Sequence, residues 1–234
     1  MAFLVDTNVA SAKVSPTNED EIYRRDLAHL IPNEMCINPV KCVTSGALKC
    51  LELFKQRGGR ISYNLYLDAA HNGHLHILMW LEENGAYRDR NAVAAAAAGG
   101  HLHIVKWMVA NDFPKLEEVC CEAVEYGHAH VLEYALEERF PVIAEVYITA
   151  AEKGYIDCLR LLLERGGLDA RELDLCAHAT ACDDIQCVQW LMERGMPKTA
   201  QAVDWARIDG KHQHVQWLLE HGFPDSETPF ECVS

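Results

Sequence analysis

A single phrase returns along this chain at a fixed interval. Gly73-His-Leu-His-Ile-Leu-Met-Trp-Leu recurs as Gly100-His-Leu-His-Ile-Val-Lys-Trp-Met, Gly127-His-Ala-His-Val-Leu-Glu-Tyr-Ala, Gly154-Tyr-Ile-Asp-Cys-Leu-Arg-Leu-Leu, Asp183-Asp-Ile-Gln-Cys-Val-Gln-Trp-Leu and Gly210-Lys-His-Gln-His-Val-Gln-Trp-Leu, with Gly46-Ala-Leu-Lys-Cys-Leu-Glu-Leu-Phe ahead of them. The anchors Gly46, Gly73, Gly100, Gly127, Gly154, Asp183 and Gly210 stand 27 residues apart, except for one step of 29. A fixed period of this length marks a repeat architecture.

Within each unit the apolar residues fall two, four, five, seven and eight places after the anchor, as in Leu102, Ile104, Val105, Trp107 and Met108. That stripe is helical and does not alternate as a strand would. Twelve places after the anchor comes Gly58, Gly85, Gly166, Gly195 or Gly222, where a left-handed residue can close the helix. The pairs Phe113-Pro114, Phe140-Pro141, Met196-Pro197 and Phe223-Pro224 follow, and proline suits the first turn of a new helix. A small residue stands four places before each anchor, at Cys42, Ala69, Ala96, Ala123, Ala150, Ala179 and Ala206, where two helices must approach closely. One helix pair has a single layer and no core, so the units must stack to hide their apolar faces.

The pattern Ala-x-x-x-Gly-His-Leu-x-x-Val-x-x-Leu-x-x-x-Gly resembles the ankyrin repeat and is followed from Ala96 to Asp112 except at the final Gly. The likeness extends over about residues 39–224. The Val-x-Trp-Leu phrases at Val188 to Leu191 and Val215 to Leu218 are similar to short ankyrin arrays of protists and large DNA viruses. The resemblance implies an all-α, ankyrin-like solenoid of seven helix-turn-helix units. With a 27-residue period and no Thr-Pro-Leu-His opening, its β-hairpin fingers should be reduced to tight loops. Two extra residues near Gly167 to Glu172 should make one longer finger. Three segments follow: residues 1–38 with a capping helix at residues 19–30, the array at 39–224, and a tail at 225–234. Pro39 lies where the first helix of unit one should run and makes that unit irregular.

Composition limits the partners. The chain has 234 residues and a formal charge of −14, from 35 acidic against 21 basic side chains. That balance opposes phosphate backbones and anionic membranes, so neither nucleic acid nor a membrane is expected. No apolar run approaches a membrane span, and the first ten residues lack the features of a secretion signal. A soluble intracellular protein, in cytoplasm or nucleus and acting as a monomer, is expected. The 10 cysteines are scattered and read as reduced, mostly buried thiols.

The histidines at 71, 74, 76, 101, 103, 128, 130, 212 and 214 suggest zinc. Residues two apart on a helix point about 200° apart, however, and helices of neighbouring repeats stand about 8–10 Å apart, against ligand distances of about 2 Å. The ankyrin resemblance instead makes the histidine beside each glycine a helix-start residue bonded to backbone. Cys176, His178, Cys182 and Cys187 mix suitable ligand types, but Cys187 occupies the core register of Cys50 and Cys158. The opening Phe3-Leu-Val-Asp-Thr-Asn8 resembles the first strand of PIN-domain nucleases, yet no βα units follow, so Asp6 is read as a tail residue. No catalytic residue, metal or cofactor is expected. Trp80, Trp107, Trp190 and Trp217, seven after their anchors, are read as stacking core.

Trp205 differs, lying five before its anchor on a first helix. If the ankyrin resemblance holds, that face lines a concave groove, which also carries Glu118, Glu122, Glu125, Glu145, Glu152 and Asp174. These carboxylates are either plain solvated charge or an acidic groove for a basic protein segment anchored on Trp205. The function expected is that of a non-enzymatic interaction scaffold. The rival is a ubiquitin-ligase adaptor, for which Leu30-Ile-Pro-Asn-Glu34 is a faint F-box-like start.

Overall fold

The computed structural model describes residues 38–226, except Tyr63. The expected capping helix, Asp6, the segment at residues 30–34 and the tail beyond Ser226 lie outside the described residues. Within them the chain forms fourteen α-helices and one 3-10 turn, with no strand. The helices come in pairs: α1 (Pro39–Thr44) with α2 (Leu48–Gln56), α3 (Asn64–His71) with α4 (Leu75–Glu83), α5 (Ala92–Ala98) with α6 (Leu102–Ala110), and α7 (Glu118–Glu125) with α8 (Ala129–Glu137). Then come α9 (Ala144–Glu152) with α10 (Ile156–Arg165), α11 (Leu175–Ala179) with α12 (Gln186–Glu193), and α13 (Ala200–Ile208) with α14 (His212–Glu220). The first members, α1, α3, α5, α7, α9, α11 and α13, pack each on the next in chain order, and α6, α8 and α10 do the same in the second layer.

Helices this short are marginal alone in water, so packing must hold them. Cys42, Ala69, Ala96, Ala123, Ala150, Ala179 and Ala206 are all fully buried, which lets neighbouring backbones close in. Opposite them lie Cys50 and Leu51, Ile77 and Leu78, Ile104 and Val105, Val131 and Leu132, Cys158 and Leu159, and Cys187 and Val188, each almost wholly buried. Every fully buried leucine or isoleucine contributes about 1.5–3 kcal/mol. Their regular recurrence spreads that term evenly along the stack.

The ends of the second helices differ from expectation in two ways. Gly58, Gly85, Gly195 and Gly222 have positive φ, but α10 runs one residue further than its siblings and Gly167, not Gly166, takes the left-handed conformation. In the two units without a closing glycine, Asp112 (φ 62°) and Arg139 (φ 59°) adopt that conformation themselves. The prolines also sit elsewhere than expected. Pro114, Pro141 and Pro197 lie in the loops, several residues ahead of α7, α9 and α13, while the preceding Phe113 and Phe140 are buried as plugs. Pro39 opens α1 at its first position, with the Asn38 carboxamide oxygen accepting from the Val40 amide at 3.0 Å, so unit one is short but regular. The two extra residues of the 29-residue step form no finger. They are taken up by a 3-10 turn (Ala170–Leu173) ahead of α11, itself only five residues long.

The tryptophan expectation holds fully for Trp107, which is 6% exposed and packs near Phe113, and in part for Trp80, Trp190 and Trp217, which pack against the core from its margin. Trp80, Trp190 and Trp217 are half-buried. Their ring faces are covered by polar groups: Lys55 lies over Trp80, Arg194 over Trp190 at 3.6 Å, and His221 stacks on Trp217 at 3.8 Å. At these three units the register seven after the anchor borders solvent, and over Trp80 and Trp190 a cation completes the cover of the indole face.

A second recurrent contact was invisible in the phrase. Arg88, Lys115 and Lys198 each reach into the following unit and donate to the carbonyl at the end of its second helix, Asn111 at 3.0 Å, Glu138 at 2.6 Å and His221 at 2.6 Å. Each also lies over the aromatic plug beyond that helix, Phe113, Phe140 or Phe223. A cation at a helix C-terminus meets both unpaired carbonyls and the negative end of the dipole.

Arg139→Gly should stabilise the protein by up to about 1 kcal/mol, because the left-handed strain relieved exceeds the entropy added to the unfolded chain. A chemical denaturation midpoint no higher than wild type would contradict that account. Ala123→Leu should cost about 1–3 kcal/mol by forcing α7 away from its neighbours, read in the same assay.

Candidate functional site

The histidines resolve first. Nε2 of His74, His101 and His128 lies 3.2, 3.0 and 3.0 Å from the carbonyl oxygens of Thr44, His71 and Ala98, each at or beside the end of the preceding unit's first helix. His76 and His130 approach Gly46 O and Gly100 O in the same way. A carbonyl can only accept, so Nε2 carries the proton and the ring donates. These imidazoles stitch one unit to the one before it. In the last unit Lys211 does this work, donating to the carbonyls of Thr180, Ala181 and Cys182 at 2.6–3.0 Å. The anchors make room for the rings: a Cβ on Gly73 (φ 82°) would stand 2.7 Å from the His101 ring, and one on Gly100 (φ 73°) 2.8 Å from that of His128. Burial holds His74 and His101 below the ordinary imidazole value, partly offset by their carbonyl bonds.

The mixed cysteine cluster comes together only in part, since the Cys182 and Cys187 thiols hydrogen-bond to each other while His178 is engaged elsewhere. His178 turns to Glu152 and Trp205, the Cys182 thiol donates to the carbonyls of Ala179 and Asp184 at 2.9 and 3.0 Å, and Cys176 and Cys187 are buried. Desolvation pushes Cys120 and Cys176 up to about 12 and Cys158 to about 11, so these thiols stay protonated at neutral pH. Among the described residues no three His, Cys, Asp or Glu side chains group as a metal site would require.

What remains is the outer face of the first helices. Positions nine and two before the anchor are exposed or partly exposed in every unit from α3 to α13, and the position five before is half-buried between them. These registers therefore form one continuous open face with a central row of Asp68, Ala95, Glu122, Thr149, His178 and Trp205. Helix α5 contributes little more than methyl groups, Ala95 and Ala98, between Asp68 and His71 on one side and Glu122 and Glu125 on the other. Partial burial raises the carboxyls of Asp68 and Glu122, Glu125 raises Glu122 further, and His71 lowers both.

The expected partner-binding residues occupy this face in different states. Glu118 and Glu145 are exposed. Glu125 pairs with Lys153 at 2.7 Å and Glu152 with His178 Nδ1 at 2.9 Å. Asp174 accepts from the Thr199 hydroxyl at 2.7 and 2.8 Å and so ties unit six to unit seven. Trp205 is half-buried, with the His178 ring against it at 4.8 Å and 82°. No family model and no curated protein matches this chain. Asp68, His71, His178 and Ile208 stand on the same face, where the repeat phase already places them. The available signal for each was register, since they share the phases of Glu122, Glu125 and Trp205.

Because His74 and His101 are held below their unfolded value of 6.5, the folded state binds fewer protons than the unfolded one. Their contribution to stability is complete above 6.5 and is lost as pH falls from there through the lower folded values. The denaturation midpoint should drop between pH 7.5 and 5.5, and drop less in His74→Gln/His101→Gln. An equal drop in both proteins would place the acid sensitivity elsewhere.

Proposed function

We propose that this chain is an ankyrin-type solenoid acting as a non-enzymatic interaction scaffold, with the first-helix face as its concave binding surface and a basic protein segment as its partner. The observation that carries this reading is the open face itself. Its registers are open to solvent in whole or part in every unit from α3 to α13, and from α7 to α9 five of six positions are carboxylates, Glu118, Glu122, Glu125, Glu145 and Glu152, with Lys153 paired to Glu125. Support for the ankyrin assignment comes from the repeated Gly-His-Leu phrase, the paired helices and their packing in chain order. An acidic face on a chain of charge −14 attracts positive segments and speeds their encounter. Among the described residues no helix is long and apolar enough to cross a membrane.

Replacing Glu122, Glu145 and Glu152 together by Lys should lower the association rate of an arginine-rich peptide by about tenfold or more at low ionic strength and flatten its salt dependence. Stopped-flow fluorescence with a labelled peptide reads both. Rates unchanged by the triple substitution would remove the acidic face from the reading.

A further inference from the structure

The repeat supplies its own internal comparison. At the register of Ile208 the other units carry His71, Ala98, Glu125, Glu152 and Ala181, and at that of Trp205 they carry Asp68, Ala95, Glu122, Thr149 and His178. Nothing in the stacking requires a large apolar side chain at either place. Ile208 is nevertheless 79% exposed, more than any other large hydrophobic residue described. A β-branched residue on an open helix surface gains nothing from burial and gives up side-chain freedom. Trp205 stands one turn earlier on the same face of α13. The nearest cation on that helix, Arg207, is turned to the end of the stack, on Asp204 and Asp225.

We propose that this end of the face seats a short protein segment carrying an apolar side chain two residues from an arginine or lysine, the apolar group on Trp205 and Ile208 and the cation on Glu152. The inference rests on the scaffold reading above and adds to it a register for the guest and Ile208 beside Trp205. His178 fixes the geometry, because it touches both Glu152, at 2.9 Å, and the Trp205 ring, at 4.8 Å between ring centres. With ordinary ring dimensions, the carboxylate oxygen and the indole centre therefore lie within about 9 Å of each other. Residues two apart on an extended chain point to the same side and stand about 6.6 Å apart. A cation and an apolar group at that spacing reach both sites together, whereas adjacent residues point to opposite sides.

Charge selects the occupant. A second copy of this chain would bring −14 against a face already lined by Glu125, Glu145 and Glu152. A positive segment is drawn to it instead. The His178 imidazole donates Nδ1–H to Glu152, since a carboxylate only accepts, and leaves the other carboxylate oxygen for the guest. A half-buried tryptophan backed by a fixed ring is the kind of group on which binding energy concentrates.

Two labelled, amidated peptides on a Gly/Ser background test this. Both carry two lysines and one arginine; one contains Arg-Ser-Phe, the other Arg-Ser-Ser. By fluorescence anisotropy the first should bind wild-type protein at least about tenfold more tightly. Ile208→Ser and Trp205→Ala should each bring that ratio towards one while leaving the affinity of the Arg-Ser-Ser peptide nearly unchanged. Ile208 is so exposed that its variant should fold as wild type does. Equal affinity of the two peptides for wild type, or a ratio that survives both substitutions, overturns the anchor while the basic-segment reading stands. Failure of both peptides to bind overturns the two proposals together.

Discussion

The approach of one first helix to the next governs the rest of this molecule. It is set by the side chain four places before each anchor, alanine in six units and Cys42 in the first, every one of them fully buried. At that contact a methyl group lets two backbones close to the distance at which Val119, Val146 and Val203 complete the layer. Because each unit offers the same small contact to both neighbours, the array grows by addition, and stability is a sum of similar interfaces rather than the property of one central core.

Apolar contact alone leaves helix ends unsatisfied, and the two edges of the stack deal with this in different ways. At the anchor edge imidazoles or Lys211 donate backwards to the carbonyls ending the previous first helix. At the loop edge Arg88, Lys115 and Lys198 donate forwards to the carbonyls ending the next second helix. Both contacts fix the relative position of adjacent units by directional bonds, which apolar packing cannot do. The last unit carries Asp204 and Arg207 where earlier units place apolar or small stacking residues such as Leu67 and Ala70. With Asp225 and Ser226 these close the end of the described stack with polar contacts.

Once stacking and edge bonding have taken their residues, the outer registers of the first helices remain open to solvent, with Asp174 tied to the next unit through Thr199 and Glu152 paired with His178. Chemistry varies there from unit to unit, unlike at the buried registers. Methyl groups line α5, carboxylates α7 and α9, and an imidazole, an indole and a bare isoleucine α11 and α13. Variation at positions released from packing, against constancy at positions bound by it, locates the surface through which the proposed scaffold would act.

The sequence by itself determined the helical period, the number of units, the buried stripe and the small contact residues, because each follows from spacing along one chain. It also identified the face on which Trp205 and the glutamates lie, since register is a property of the repeat. The tertiary structure decided what depends on neighbours 25 to 30 residues away: that His74 bonds Thr44, that Lys115 covers Phe140, that Lys55 lies over Trp80 and that Asp174 is occupied by Thr199. It also decided that Asp112 and Arg139 bend left-handed without being glycine. Periodicity records which way a side chain points from its own helix. Only the packed stack brings the next unit to meet it.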